Sequence, residues 1–446
     1  MRLSFFLFVF FPLLGNAQEN STVKWVEDKS LEQAKALAKQ ENKYVFVDCY
    51  ATWCGPCKMM DKNVYSDKAV AAMLNEKFVS VKVQMDSTKV DAEQIKALYA
   101  DARRIRQEYN VIAYPSFLFF SPDGKLVHRD FGFKDANDFV VLLSLAENGN
   151  KQYFALIEKY FNGYKDYSNM ISLIKMSGQF GYRDTALMIA KDYKANWLEK
   201  VEKVELMNKD IIDFYLMFPT LLDSKNRFFE LCFHHQQTID SIGKEKGTAL
   251  KFINYIIGRE EIWDKLLKDK KPISNDPEWD EITSSIKLKY GVQFATALVP
   301  AAKLRYYKII KDWSKFAMVK DEQIMQEPPK RRGGLLDGNS TWYLNTDAWT
   351  VFLECGDSVV LSKALNWIDI AIKLDQPKPN VQYLDTRANL LYKLGRVQEA
   401  IDQEQQAIEQ DDATAVTSGK TKGFFHDEYA STVLKIKNGE PTWNAP

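Results

Sequence analysis

The chain has 446 residues, 46% of them apolar, with 60 Lys and Arg against 60 Asp and Glu. That length holds two or three domains with a core in each, and the apolar share excludes a disordered chain. Balanced charge gives no footing for nucleic acid or an anionic membrane as a partner.

The first stretch, MRLSFFLFVFFPLLGNAQ, reads as an export leader and not as fold. Arg2 supplies a short positive region, Leu3 to Leu14 an apolar run, and Gly15-Asn16-Ala17 a small-residue cleavage site, so residues 1–17 are expected to be removed after Ala17. The apolar run is shorter than a bilayer needs. An exported protein follows, with the periplasm as its expected place and secretion from the cell as the alternative. A helix is expected next over SLEQAKALAKQENK, with Ser30 and Gln33 as a capping box and Leu31, Ala34, Leu37 and Ala38 on one face. YVFVDCY (44–50) is a buried strand, and the two-cysteine segment after it opens a helix expected to run on to Asn75. A strand at 78–84 and a helix over 91–109 come next, the helix striped by Ile95, Leu98, Ala102, Ile105 and Tyr109. Strands at 116–121 and 125–131 form a hairpin across Pro122-Asp123-Gly124, and a last helix runs from Asp135 to Glu147. The order βαβαββα is that of an α/β domain over 18–150.

Strand signals then fade. Residues 151–326 read as an irregular helical domain, and EPPKRRGGLLDGNST (327–341) as a loop or linker. In YLDTRANLLYKLGRVQEAIDQEQQAIEQD, the small residues Ala388, Ala400 and Ala407 and the turn at Gly395 suit two antiparallel helices. This spacing resembles a tetratricopeptide repeat, and Ala364 and Ala371 begin a looser copy upstream. Arg387 and Glu404 depart from the pattern, standing where an apolar residue and an aromatic are usual. The 342–446 region is therefore expected to be helical and partly tetratricopeptide-like, with a protein partner of its own.

Five cysteines serve this long exported chain: Cys49, Cys54, Cys57, Cys232 and Cys355. That density does not suit a disulfide-stapled scaffold, so stability has to come from ordinary cores. Cys49 is expected in the core, while Cys232 and Cys355 are either buried thiols or a pair. Cys54 and Cys57, with only Gly55 and Pro56 between them, leave three readings: a reactive pair, a structural staple or half of a metal clamp. Zinc wants four ligands, and His128, His234, His235 and His426 are not spaced to complete a set. A sulfur at the first turn of a helix faces unsatisfied backbone N–H groups, which favour its thiolate. Pro56 is tolerated there, and Cys57 one turn on reaches back to Cys54. A reactive sulfur must also be reachable from solvent.

WCGPCK (53–58) resembles the active site of the thioredoxin family, and the resemblance spans roughly residues 25–147. It implies the thioredoxin fold and a redox-active Cys54–Cys57 disulfide, with no metal or organic cofactor. It also implies Asp48 as a buried acid handling the proton of Cys57, with Lys82 as its neighbour. Pro115 falls at the family's cis-proline, and Trp53, Gly55, Pro56, Tyr114 and Pro115 are expected along the substrate groove. The segment looks most like exported thioredoxin-like domains, including those of bacterial thiol-reducing relays. The function implied is an exported thiol–disulfide oxidoreductase that reduces protein disulfides and draws electrons from a membrane thiol relay. The alternative is an adaptor whose helical region binds the partner while the thioredoxin domain is a docking platform.

Overall fold

The computed structural model describes residues 22–27, 29–331 and 340–443. The expected leader lies outside the described residues, as does most of the 327–341 linker. The chain divides into two compact units, Met1–Leu221 and Leu222–Pro446.

In the first unit α1 (Leu31–Glu41) starts on the expected box: the Ser30 hydroxyl accepts the Gln33 N–H while the Gln33 side chain accepts the Ser30 N–H. β1 (Tyr44–Tyr50) follows, then α2 (Gly55–Met59), which continues as a wider π-turn segment, Met60–Val64. The helix expected to reach Asn75 stops here. Asp67 adopts an extended conformation and its carboxylate caps a new helix, α3 (Lys68–Lys77), by accepting the N–H groups of Ala69 and Val70. β2 (Phe78–Gln84) lies parallel to β1. The 91–109 helix is two pieces, α4 (Glu93–Ala97) and α5 (Tyr99–Glu108); Ala102, Ile105 and Tyr109 are buried as the stripe requires, but Ile95 and Leu98 only partly. β3 (Ser116–Phe120), β4 (Leu126–Phe131) and α6 (Ala136–Glu147) complete the domain.

The sheet order is β2-β1-β3-β4, with β3 antiparallel to both neighbours. Val45, Val47 and Cys49 of β1 pack under α1 and α5, while Phe46 packs with the π-turn segment, α3 and α6. Alternation along β1 puts Asp48 on the Phe46 side, below the segment that carries the cysteines.

The first unit extends beyond the α/β domain expected over 18–150. Helices α7 (Tyr153–Phe161), α8 (Met170–Gln179) and α9 (Arg183–Tyr193) follow, and α7 packs on β4. His128 of β4 accepts the Tyr153 N–H through Nδ1 at 3.1 Å, and burial pushes its pKa down to about 4. Its neighbour Arg129 is buried; the guanidinium donates to the carbonyls of Tyr109 (2.8 Å) and Asn110 (3.1 Å) and lies 5.9 Å from the rings of Phe180 and Tyr182. A buried guanidinium needs such partners, so these helices cover the edge of the α/β layer. The division at Leu221/Leu222 therefore falls inside the stretch expected to be a single helical domain.

Among its described residues the second unit is helical apart from a two-stranded ribbon at Leu267–Lys268 and Lys271–Pro272 and an isolated bridge between Lys330 and Ser340. Its last five helices, Thr341–Glu354, Ser358–Leu374, Val381–Lys393, Val397–Val416 and His426–Lys437, each pack on the next. Ala364, Ala371, Ala388, Ala400 and Ala407 are fully buried, as close helix approach requires. Arg387 is accommodated by Asp369 (2.6 Å) and Gln403 (2.9 Å). Cys232 and Cys355 are both buried and do not pair with each other.

Candidate active site

β1 ends at Tyr50 and the chain turns through Ala51, Thr52 and Trp53 before α2 begins. Asp86, just beyond β2, holds this turn by accepting both the N–H and the hydroxyl of Thr52. Cys54 is the N-terminal cap of α2, extended at φ −74° and ψ 107°, and its sulfur accepts the Cys57 N–H at 3.1 Å. Cys54 and Cys57 form a disulfide across a Cα–Cα separation of 5.3 Å. The pair thus stands as a disulfide at the opening of a helix.

The surroundings of the pair are apolar. Tyr50 and Tyr114 pack against Ala51, Cys54 and Cys57. Trp53 is 70% exposed, and its ring meets that of Tyr114 edge-on at 5.9 Å. The Tyr114–Pro115 peptide bond is cis. A Cβ built on Gly55 would meet nothing within 4 Å, so the glycine serves no close contact within the chain and leaves open space over its backbone. Cys54 itself is only 2% exposed. The expectation of a freely reachable sulfur is not met in the disulfide form, because Cys57 and the two tyrosines cover it.

Asp48 is 1% exposed, and its Oδ1 has no hydrogen-bond partner among the described residues. Burial raises its pKa from 3.8 to about 7; the Lys82 charge and the Tyr65 hydroxyl oppose the rise, and the Asp61 charge adds to it. Lys82 stands opposite Asp48 in the β1–β2 register, as the resemblance implies. Its ammonium, however, is ion-paired with Asp61 and lies 5.2, 5.3 and 5.5 Å from the rings of Trp25, Tyr50 and Tyr65. It acts on Asp48 by its field and not by a hydrogen bond. Sequence reasoning missed Asp61 and Tyr65. The available signal was their spacing, four and eight residues after Cys57, which keeps them on one side of the helical run.

Residues 24–122 match the sequence family described as thioredoxin-like. Over 128 residues the chain is 36% identical to a thiol:disulfide interchange protein, DsbD, of Vibrio vulnificus (strain YJ016), covering 28% of this chain and 20% of that one. It is 31% identical over 128 residues to the protein of the same name from Actinobacillus pleuropneumoniae serotype 5b (strain L20), with the same two coverages. The solved thioredoxin from Thermus thermophilus is 25% identical, with a TM-score of 0.23, covering 28% of this chain and 85% of that one. The chain thus spans about a fifth of the length of the curated relatives it matches.

Proposed function

We propose, on the premise that residues 24–122 form a thioredoxin-like domain, that this chain is an exported thiol–disulfide oxidoreductase that reduces protein disulfides. The observation that carries the reading is the Cys54–Cys57 disulfide at the opening of α2, with the Cys57 N–H directed at the Cys54 sulfur. An N–H donated to sulfur favours the thiolate, the form that attacks. Export rests on the leader pattern of residues 1–17, and the similarity to proteins named for thiol:disulfide interchange supports the chemistry.

In the reduced protein the Cys54 thiolate attacks one sulfur of a substrate disulfide, forming a mixed disulfide and releasing the other sulfur as thiolate. Cys57 loses its proton toward Asp48, which accepts one only when ionised, above about pH 7. The Cys57 thiolate then attacks Cys54 Sγ, releasing the substrate as a dithiol and re-forming Cys54–Cys57. Two electrons leave the protein in each cycle. A dithiol donor, proposed to be a membrane thiol relay, returns them. Trp53, Gly55, Pro56, Tyr114 and Pro115 form the surface the substrate crosses, the exposed Trp53 marking the approach to the covered sulfur. The Gly-Pro pair between the cysteines resembles reducing thioredoxins, which supports the reducing direction.

The test is the Cys57→Ser variant. It is expected to accumulate mixed disulfides on Cys54, identified by mass spectrometry, while Cys54→Ser accumulates none. In the reduced wild type, Cys54 should also alkylate faster at pH 7 than a small free mercaptan. Alkylation no faster than that, or equilibration with glutathione at a strongly oxidising potential, would overturn the reading or its direction respectively.

A further inference from the structure

A cleft of roughly 500 Å³ lies beside the disulfide, with Trp53 and Tyr114 among its walls and Arg103 and Arg106 of α5 on another. Tyr99, Ala102, Arg103 and Arg106 also line it, because positions three, four and seven apart share a helix face. The charges in this region are unevenly satisfied. Arg104, between the two cleft arginines, points elsewhere and is held by Asp101 (2.7 Å), Glu108 (3.2 Å) and Glu32 (3.4 Å). Asp86, the acid of the cleft, is taken up by Thr52. Asp91, the next acid along the chain, is taken up by Thr88, Gln84 and Tyr99. Both carboxylates are thus satisfied by neutral donors. Among the described residues, neither the Arg103 nor the Arg106 guanidinium has an ion pair or a hydrogen bond. The Arg106 charge falls on Tyr114, where it opposes the upward pull of burial on the hydroxyl pKa.

Two guanidinium forks without partners, beside an exposed indole and a tyrosine that covers the reactive sulfur, form a receptor for a carboxylate. We infer that Arg103 and Arg106 select polypeptide disulfides that carry a carboxylate next to the reactive cysteine, from an Asp or Glu side chain or a chain terminus. The inference rests on the oxidoreductase reading above. The exchange is the one already written: the substrate disulfide gains two electrons and leaves as a dithiol, Cys54–Cys57 is re-formed, and dithiothreitol serves as the dithiol donor in the assay.

The test uses three cyclic peptide disulfides that differ only at the residue beside the attacked cysteine, which is Glu, Gln or Lys. Wild-type protein is expected to favour the Glu peptide over the Gln peptide in kcat/KM by roughly threefold to tenfold, the scale of exposed charge contacts. The preference should shrink in 0.5 M salt. Arg103→Gln/Arg106→Gln should bring the Glu/Gln ratio to about one, and Arg103→Glu/Arg106→Glu should invert the Glu/Lys ratio. Arg104→Gln, outside the cleft, should keep the wild-type ratios. Reduction of all three peptides with no Glu preference, or loss of that preference in Arg104→Gln as well, would overturn the carboxylate site alone. Reduction of none, nor of any protein disulfide, would overturn it together with the oxidoreductase reading.

Discussion

Asp48 in the first unit and Glu404 in the second are both buried acids whose carboxyl oxygens lack hydrogen-bond partners among the described residues, one oxygen in Asp48 and both in Glu404. Burial drives both pKa values upward, but the neighbours differ in sign. Asp48 faces Lys82, whose charge pulls the acid back toward ionisation, and its pKa settles at about 7, where a proton can be taken and returned. Glu404, on the helix Val397–Val416, faces Asp385 and Glu428, whose charges push it further up. Asp385 is itself raised, chiefly by burial. Neighbouring acid charges that add to burial drive such a carboxyl further from ionisation. Burial alone therefore does not bring a carboxyl into the neutral range; burial opposed by a cation does so at Asp48.

The contrast can be broken experimentally, most sharply at Asp48. Asp48→Asn is expected to slow protein-disulfide reduction at pH 8 by about a hundredfold, the lower end of the usual range for a positioned acid–base group. It should also stabilise the fold on the order of 2–4 kcal/mol at that pH, measured by urea unfolding of the reduced protein. The sign follows from the raised folded-state value. The acid's stability relative to the amide is whole below its ordinary 3.8 and is lost as pH climbs to about 7, so the gain vanishes near pH 3. Equal rates at pH 8, or an equal gain at both pH values, would remove Asp48 from the mechanism.

Glu404→Leu comes next. Replacing a buried carboxyl that burial and neighbouring acids both disfavour by a side chain of similar bulk should raise the unfolding free energy of the second unit by about 1–3 kcal/mol. Turnover should stay within about twofold of wild type. A loss of turnover comparable to that in Asp48→Asn would erase the distinction between the two acids. The smallest effect is expected from Lys82→Met. Removing the opposing cation should move the midpoint of the pH–rate profile upward, and Asp61→Asn should move it downward, since the Asp61 charge raises Asp48. Shifts in the opposite directions would show that the field at Asp48 is set by other groups.

Much of the first unit was legible because the signals are local. Ser30 and Gln33 lie one helical turn apart, β1 and β3 each carry four consecutive apolar residues (Tyr44–Val47 and Phe117–Phe120), and Pro122-Asp123-Gly124 turns the hairpin within itself. The cysteine pair is local too, since its disulfide spans three residues. The helix break at Asp67 was also a local signal, but it was hidden by the apolar periodicity on either side.

The rest depends on residues distant in the chain. Arg129 in KLVHRDF looks like a surface residue until the carbonyls of Tyr109 and Asn110 and the rings of Phe180 and Tyr182 close around it. That closure carries the first unit past residue 150. Cys232 and Cys355 could be paired or free on sequence grounds, and both are buried thiols. The sequence by itself determined the βαβαββα order, the close cysteine pair and its place at a helix start, because capping, alternation and turn chemistry act over a few residues. Only the tertiary structure decided that Lys82 bonds Asp61 while acting on Asp48, that Arg103 and Arg106 line a cleft walled by Trp53 and Tyr114, and that the charges of Asp385 and Glu428 reach Glu404. Desolvation and charge depend on what the whole fold brings within a few ångströms, and chain spacing does not encode that.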